Sequence, residues 1–332
     1  MPFVWDVVQK QVEDERRKKQ AETQKETMKQ EPIGQLIAQQ PKDYEQNKTR
    51  SKIAESFNTN RTYVSDAKKY KDSDPVIFEQ IKSGSKTIAE VKKDQKKKQL
   101  EQKKEEYINN SKAEISKAPK VWLSDCNDFL DRYNDDEIDC IITDPPYYTD
   151  VKNIKEFAEA WATKAISKVR RSGRLYICTG AYPKEIQAYL AVFLSQDKFI
   201  VDNPLIWTYR NTLGQTPKMK YNLNYQLIWH LYSTDSPELD TGITNHMFSV
   251  QEINAPDGRQ ADRIHTWQKP DELANRLITQ GTKQGWLVVD PFVCTGTFLL
   301  AAARLQRGGE GADNDKTNLD IAIERGCEYE KI

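Results

Sequence analysis

An α/β fold, with strands and helices alternating around a parallel or mostly parallel sheet, is what this sequence predicts for roughly its last two-thirds. Three observations carry that expectation. First, Ile138, Cys140, Ile141 and Ile142 make an apolar run the length of one buried strand, and it stops abruptly at Asp144-Pro145-Pro146-Tyr147. Second, residues 286–289 repeat the pattern, end in Asp290-Pro291-Phe292, and pass through Cys294-Thr295-Gly296-Thr297 into a helical stretch at 299–305. Third, helical periodicities separate the remaining short apolar runs, which is how parallel strands are strung together.

Ahead of that region the composition changes. The chain has 332 residues, so its length suggests two domains, and its 50 basic residues are matched by 50 acidic ones. No global charge argument for nucleic acid exists. The first third is nevertheless rich in Lys, Gln and Glu, while large apolar residues gather after about residue 120. Residues 1–46 read as a charged helical or disordered arm with a short apolar cluster at its start (Phe3, Val4, Trp5, Val7, Val8). Thr49 is placed to cap a helix over 50–57, Asn58-Thr59-Asn60 makes a turn, and residues 61–70 form a second helix. Two short helices joined by a tight polar turn outline a helix-turn-helix, whose second helix carries Arg61, Thr62, Tyr63, Ser65 and Lys68 toward phosphates and base edges. An ordinary helical hairpin fits the same pattern. Two more helices, about 75–82 and 87–91, close a small all-α domain at 47–95, and residues 96–118 continue as a charged helical linker.

The α/β domain, residues 119–332, opens with a strand at 121–123 and with Asp125 ahead of a short helix containing Phe129 and Leu130. A helix over 154–169, stopped by Gly173, leads to a strand at 175–178, and a further helix follows at 183–194. Residues 200–209 and 226–232 are apolar and aromatic strand candidates. The connection between them alternates basic and aromatic residues, among them Arg210, Lys218, Tyr221 and Tyr225, as a nucleic-acid contact would need. Residues 233–265 are polar and irregular, either a substrate-contacting loop or plain surface. His265-Thr266-Trp267-Gln268-Lys269-Pro270 then enters a helix at 271–280.

Chemistry concentrates at two strand ends. The Asp144 carboxylate and the Pro145 carbonyl are both hydrogen-bond acceptors, and an exocyclic NH2 presents two donors. The turn at 290–298 offers free helix N–H groups and a glycine for close approach. Asp313, at the end of a following strand, is spaced to receive ribose hydroxyls. No phosphate-cradling loop of the Walker type is present, so a nucleoside fits better than a triphosphate. Five scattered cysteines without a Cys-x-x-Cys argue against a disulfide scaffold or a zinc site and fit a reducing compartment. No run reaches membrane-spanning length.

Residues 121–332 resemble the amino-methylating DNA methyltransferases of the N6-adenine/N4-cytosine family, in the circular order where the catalytic tetrad precedes the cofactor loop. The matching residues are Asp144-Pro145-Pro146-Tyr147, Gln268-Lys269-Pro270 with Leu273 and Arg276, and Asp290-Pro291-Phe292 with Thr295-Gly296-Thr297. Residues 45–95 resemble the DNA-binding helices of ParB-type partition proteins, on Lys52-Ile53-Ala54, Asn58 through Val64, and Ile81-Lys82-Ser83-Gly84. These resemblances imply a Rossmann-like sheet, S-adenosylmethionine as cofactor, and double-stranded DNA as substrate, with adenine N6 favoured over cytosine N4 by the Asp at the head of the tetrad. They imply catalytic roles for Asp144, Pro145, Pro146 and Tyr147, the last stacking on the flipped base. They imply cofactor contacts from Asp125, Lys269, Asp290, Phe292, Thr295, Gly296, Thr297 and Asp313, with Lys269, Phe292 and the two threonines lining the methionine end. No metal and no membrane enter, and the localisation implied is cytoplasmic, at the nucleoid. A homodimer is left open. One residue departs from the family's Phe-x-Gly-x-Gly: Cys294 stands where the first glycine belongs, and it intrudes if the position requires a positive φ. A methyltransferase-like DNA-binding protein that has lost activity through Cys294 is therefore the competing interpretation, and an RNA or protein amine methyltransferase is a third.

Overall fold

The computed structural model describes residues 51, 52, 54, 61–83, 85–113, 115–211, 218, 219, 221–259 and 263–331. The expected amino-terminal arm, most of the helix at 50–57 and the Asn58-Thr59-Asn60 turn lie outside the described residues. The chain divides into two compact units, residues 1–99 and 100–332.

In the first unit, helix α1 spans Arg61–Ser73 and α2 spans Pro75–Lys82. Asp74 starts α2 by accepting the Ile77 N–H at 3.0 Å, and Pro75 occupies the first turn, where no backbone donor is needed. Thr87 and Glu90 exchange hydrogen bonds in a capping box that begins α3, Ile88–Ala113. The sequence separates a helix at 87–91 from a linker helix. The structure has one uninterrupted helix, because Lys, Gln and Glu are good helix formers and nothing between them breaks the backbone. Tyr70, Ile88 and Val91 are buried together, with Ala67, Ile77, Phe78 and Ile81 packed on them.

In the second unit the strands are β1 (Lys120–Leu123), β2 (Ile138–Thr143), β3 (Val169–Thr179), β4 (Ile200–Val201), β5 (Leu205–Thr208), β6 (Tyr225–Tyr232), β7 (Val250–Glu252), β8 (Leu287–Asp290), β9 (Gly308–Asp313) and β10 (Glu328–Tyr329). They form one mixed sheet in the order β10-β1-β9-β8-β2-β3-β6-β5-β7, with β4 paired to β6. From β10 to β3 every pairing is parallel; β6 runs antiparallel to β3, β4 and β5. Helices α4 (Cys126–Leu130), α5 (Ile154–Lys168) and α6 (Pro183–Leu194) contribute to a core containing Phe129, Trp161, Tyr189, Ile141 and Leu175. Helices α7 (Asp271–Gly281) and α8 (Thr297–Arg304) contribute to a second core with Cys140, Ile142, Leu277 and Phe298. Alternate residues of β2 thus enter two different cores, which is why this strand is apolar throughout. Helix α9, Lys316–Arg325, precedes β10.

Two expectations change. Gly173 does not stop a helix: α5 ends at Lys168 and β3 begins at Val169, with no loop between them. The register against β2 slips between Ile138 and Cys140, and a Cβ on Gly173 would lie 2.4 Å from the Asp139 carbonyl, so glycine marks an irregular strand crossing rather than a terminus. The apolar stretch at 200–209 is two strands, β4 and β5, interrupted before Pro204, which lacks an N–H for the ladder.

Candidate active site

Strands β1, β9, β8 and β2 are parallel, so their carboxyl ends deliver Asp125, Asp313, Asp290 and Asp144 to one edge of the sheet. A cavity of about 290 Å³ opens there, lined by Asp125, the whole tetrad 144–147, Phe157, His265, Trp267, Phe292, Cys294 and Asp313, among others. A larger hollow of about 550 Å³ lies beside Arg210, Glu252 and Asp271, but no tetrad residue lines it. The convergent acceptors are in the smaller cavity.

The tetrad is fixed from several sides. Thr143, the last residue of β2, donates to the Asp290 carboxylate at 2.6 Å, and the Phe292 N–H reaches the same oxygen at 3.0 Å. Asp290 is buried, and burial pushes its carboxyl up to about 7. Asp144 receives the Lys269 ammonium on one oxygen and the Tyr147 hydroxyl, at 2.9 Å, on the other. Lys269 also donates to the Tyr147 hydroxyl at 3.0 Å and is only 4% exposed. Burial raises the Asp144 carboxyl above its ordinary value, and the Lys269 charge opposes that rise. Past the tetrad, Asp150 accepts the Tyr147 N–H at 3.1 Å. Glu185 of α6 accepts the Tyr148 N–H at 3.0 Å and the Gly180 N–H at 2.7 Å.

The second half of the site is the loop from β8 to α8. Cys294 N–H and Asp315 N–H donate to the two oxygens of Asp313 at 2.7 and 2.9 Å, anchoring that carboxylate at the end of β9. Gly296 has φ 78°, and a Cβ there would sit 3.0 Å from the Cys327 sulfur. Cys294 has φ 47°, a left-handed conformation at the position where the sequence flagged a missing glycine. Its sulfur lies 3.4 Å from His265 Nδ1, and burial, with Asp313 nearby, pushes the thiol up to about 12, so it is a neutral group on the cavity wall.

Of the sequence-identified residues, Asp125, Asp144, Pro145, Pro146, Tyr147, Phe292 and Asp313 line the cavity. Lys269, Asp290, Thr295, Gly296 and Thr297 are absent from that lining: Lys269 faces Asp144, and the two threonine hydroxyls bond Arg325 at 3.2 and 3.0 Å. Tyr147 is only 7% exposed. Asp125 caps α4 through the Asn127 N–H at 2.8 Å. Arg210 borders the larger hollow and pairs with Glu252 at 3.1 Å, while Lys218 and Tyr221 are exposed. In the first unit Thr62, Tyr63 and Lys68 are exposed on α1, and Arg61 opens that helix.

Several participants escaped the sequence. Arg325, fully buried, donates to the Thr295 carbonyl at 2.8 Å and to the Tyr107 hydroxyl at 2.9 Å, and Tyr107 donates to Asp271 at 2.6 Å. Glu185 and Trp267 belong with it. Their contacts with Tyr148, Tyr147 and Tyr107 span tens to hundreds of residues, and no local pattern announces them. Among the described residues there is no group of three metal-ligating side chains, and no helix is long and apolar enough to cross a membrane.

The N6/N4 family described as "DNA methylase" matches residues 138–324. The type II methyltransferase M.HpaI of Haemophilus parainfluenzae is 25% identical over 225 residues, 59% of this chain and 70% of that protein. M2.DpnII of Streptococcus pneumoniae is 25% identical over 244 residues, 61% and 87% of the two chains. Among solved structures, the cytosine-N4-specific PvuII DNA methyltransferase aligns with TM-score 0.54 at 18% identity, covering 64% of this chain and 89% of that one. A DNA modification methylase of Thermus thermophilus, complexed with S-adenosyl-L-methionine, aligns with TM-score 0.51 at 18% identity over 64% and 98%.

Proposed function

The chain belongs to the N6/N4 DNA methylase family, and from that premise we propose that it methylates the exocyclic amine of a base turned out of double-stranded DNA, adenine N6 in preference to cytosine N4. The cofactor is S-adenosylmethionine, which supplies an electrophilic methyl group on a sulfonium. The observation that carries the proposal is the single cavity shared by residues 144–147 and by Phe292, Cys294 and Asp313.

The side chains around that cavity fit such a cofactor. Asp313, braced by two backbone N–H groups, offers acceptors for ribose hydroxyls. Phe292 offers a flat apolar wall, held edge-on by Trp161 at 5.1 Å and flanked by Phe157 at 5.9 Å. Asp125 offers an acceptor for the adenine amine.

Toward the base, Asp144 and the Pro145 carbonyl act as acceptors on the two amine hydrogens, drawing nitrogen electron density out of the ring and onto the attacking lone pair. Burial raises the Asp144 carboxyl, and the Lys269 charge beside it opposes that rise and favours the anion. As the amine acquires positive charge, Asp144 is the base that relieves it of a proton. Two fixed acceptors and an already activated methyl leave positioning as the main demand. Support for adenine comes from Asp, rather than another residue, at the head of the tetrad. We assign part of the DNA affinity to the helix-turn-helix around Arg61, Thr62, Tyr63 and Lys68, and part to Arg210, Lys218 and Tyr221 of the β5–β6 connection.

Unmodified genomic DNA of mixed sequence, incubated with isotopically labelled cofactor and digested to nucleosides, is expected to yield labelled N6-methyladenine by mass spectrometry. Asp144→Ala is expected to bind cofactor by calorimetry but to lose about a hundredfold or more in transfer rate. Labelled N4-methylcytosine alone would reassign the base. A protein that neither binds S-adenosylmethionine nor labels DNA would overturn the enzymatic proposal in favour of a DNA-binding protein.

A further inference from the structure

Two aromatic rings border the tetrad end of the cavity, and the one outside the tetrad has by far the more exposed surface. Tyr147 is 7% exposed, and its hydroxyl is committed twice, donating to Asp144 and accepting from Lys269. Trp267 is 54% exposed, lines the same cavity, and meets Tyr147 edge-on with centroids 5.8 Å apart and planes at 75°. Its exposure is not that of a loose loop, because the flanking turn is anchored. The Trp267 N–H donates to His265 Nδ1 at 3.3 Å, and Gln268 accepts the Ile264 N–H at 2.9 Å and donates to Tyr107 at 3.1 Å. Its neighbours Gln268 and Lys269 are buried. A large apolar ring held in water by a rigid turn, next to the proposed acceptor of a base amine, is a poor use of an indole unless something covers it.

Resting on the methyl-transfer reading above, we propose that Trp267 is a second aromatic wall against which the extruded base stacks, beside Tyr147. Tyr147 also braces Asp144 through its hydroxyl, and Trp267 adds stacking energy that offsets the cost of unpairing. The platform and the acceptor come from two separate segments, the turn before α7 and the end of β2, so base capture and amine polarisation can be altered independently.

The test uses the full chain and two duplexes of one mixed sequence, one carrying an unpaired adenine opposite an abasic site and the other abasic on both strands. Wild type is expected to bind the first more tightly, with quenching of tryptophan fluorescence. Trp267→Ala is expected to lose that preference by about 5- to 150-fold while its calorimetric affinity for S-adenosylmethionine stays within about twofold, and Trp267→Phe is expected to retain most of it. An unchanged base preference in Trp267→Ala overturns the proposal, as does a loss confined to cofactor affinity, which would make the ring part of the cofactor wall. Base-dependent binding that needs Trp267, in a protein that labels no DNA, would sink the methyl-transfer proposal and leave this one standing. Methyl transfer with no role for Trp267 would do the reverse.

Discussion

Cys294 holds a φ of 47° with a side chain attached, beside a loop whose next turn is made by a true glycine, Gly296. Left-handed backbone costs an L-residue about 1–2 kcal/mol, and glycine's extra freedom in the unfolded chain costs about 0.5–1 kcal/mol in return. Cys294→Gly is therefore expected to leave stability unchanged or raise it by up to about 1.5 kcal/mol. It also clears a sulfur from the cavity wall, so calorimetry should report tighter S-adenosylmethionine binding; weaker binding would mean that the thiol and His265 form part of the cofactor surface. Lys269 makes a different prediction. It is the cation facing Asp144, with Tyr147 and Asp150 beside the same carboxylate and Glu185 and Asp290 near it. Burial raises the Asp144 carboxyl and Lys269 opposes, so removing the charge lets it rise further. In Lys269→Met the acid limb of the kcat–pH profile should move to higher pH, with Lys269→Arg close to wild type. A lower plateau with an unmoved limb would indicate a packing role instead. At this scale Asp144 and Asp313 were legible because strand-end carboxylates have a local signature. Lys269 and Arg325 carry none that names their partners, 125 and up to 218 residues away.

Strands buried on both faces advertise themselves as apolar runs, which is why β2, β6 and β8 could be read to within a residue or two. The first half of β3 could not. Arg170-Arg171-Ser172-Gly173 is polar and follows a helix directly, and only the slipped pairing with β2 accounts for it as strand. Nor could the reversal of β6 be read, since strand direction leaves no trace in composition. That antiparallel junction contains a titratable group. His230 of β6 is buried, stacked between Tyr176 and Tyr232 at 4.8 and 5.1 Å, with Nε2 3.0 Å from the Arg174 guanidinium and Nδ1 3.3 Å from Asp202. Burial, then Arg174, lowers its pKa from 6.5 to about 4. Between those values the unfolded chain binds a proton that the folded one refuses, so stability is full above 6.5 and falls as pH drops toward 4. From this site alone, unfolding free energy should decline by about 2 kcal/mol between pH 7 and pH 5. Urea titrations at both pH values are expected to give His230→Gln a decline smaller by that amount. Equal declines in the two proteins would mean that His230 is protonated in the native state.

The division of the chain after residue 99 cuts α3 partway along its length, and the position of that cut decides how the DNA-binding proposal can be tested. Composition alone puts the end of the linker near residue 118, but Tyr107 already belongs to the second unit. Its hydroxyl donates to Asp271 at 2.6 Å and accepts from buried Arg325 at 2.9 Å, and Arg325 in turn holds Thr295 and Thr297 beneath the cofactor loop. Removing residues 1–118 would strip two charge-assisted hydrogen bonds from a buried guanidinium and its carboxylate, about 3 kcal/mol or more, and lower the melting midpoint by about 6–10 °C. Removing residues 1–99 leaves the network intact and is expected to preserve both midpoint and cofactor affinity. If the helix-turn-helix neutralises phosphates, the shorter deletion should also flatten the dependence of log K on log salt by about 0.9 for each phosphate released. An unchanged slope with an unchanged midpoint would assign DNA affinity to the catalytic unit alone. A midpoint that falls equally in both truncated proteins would mean that Tyr107 is not what ties the end of α3 to the loop.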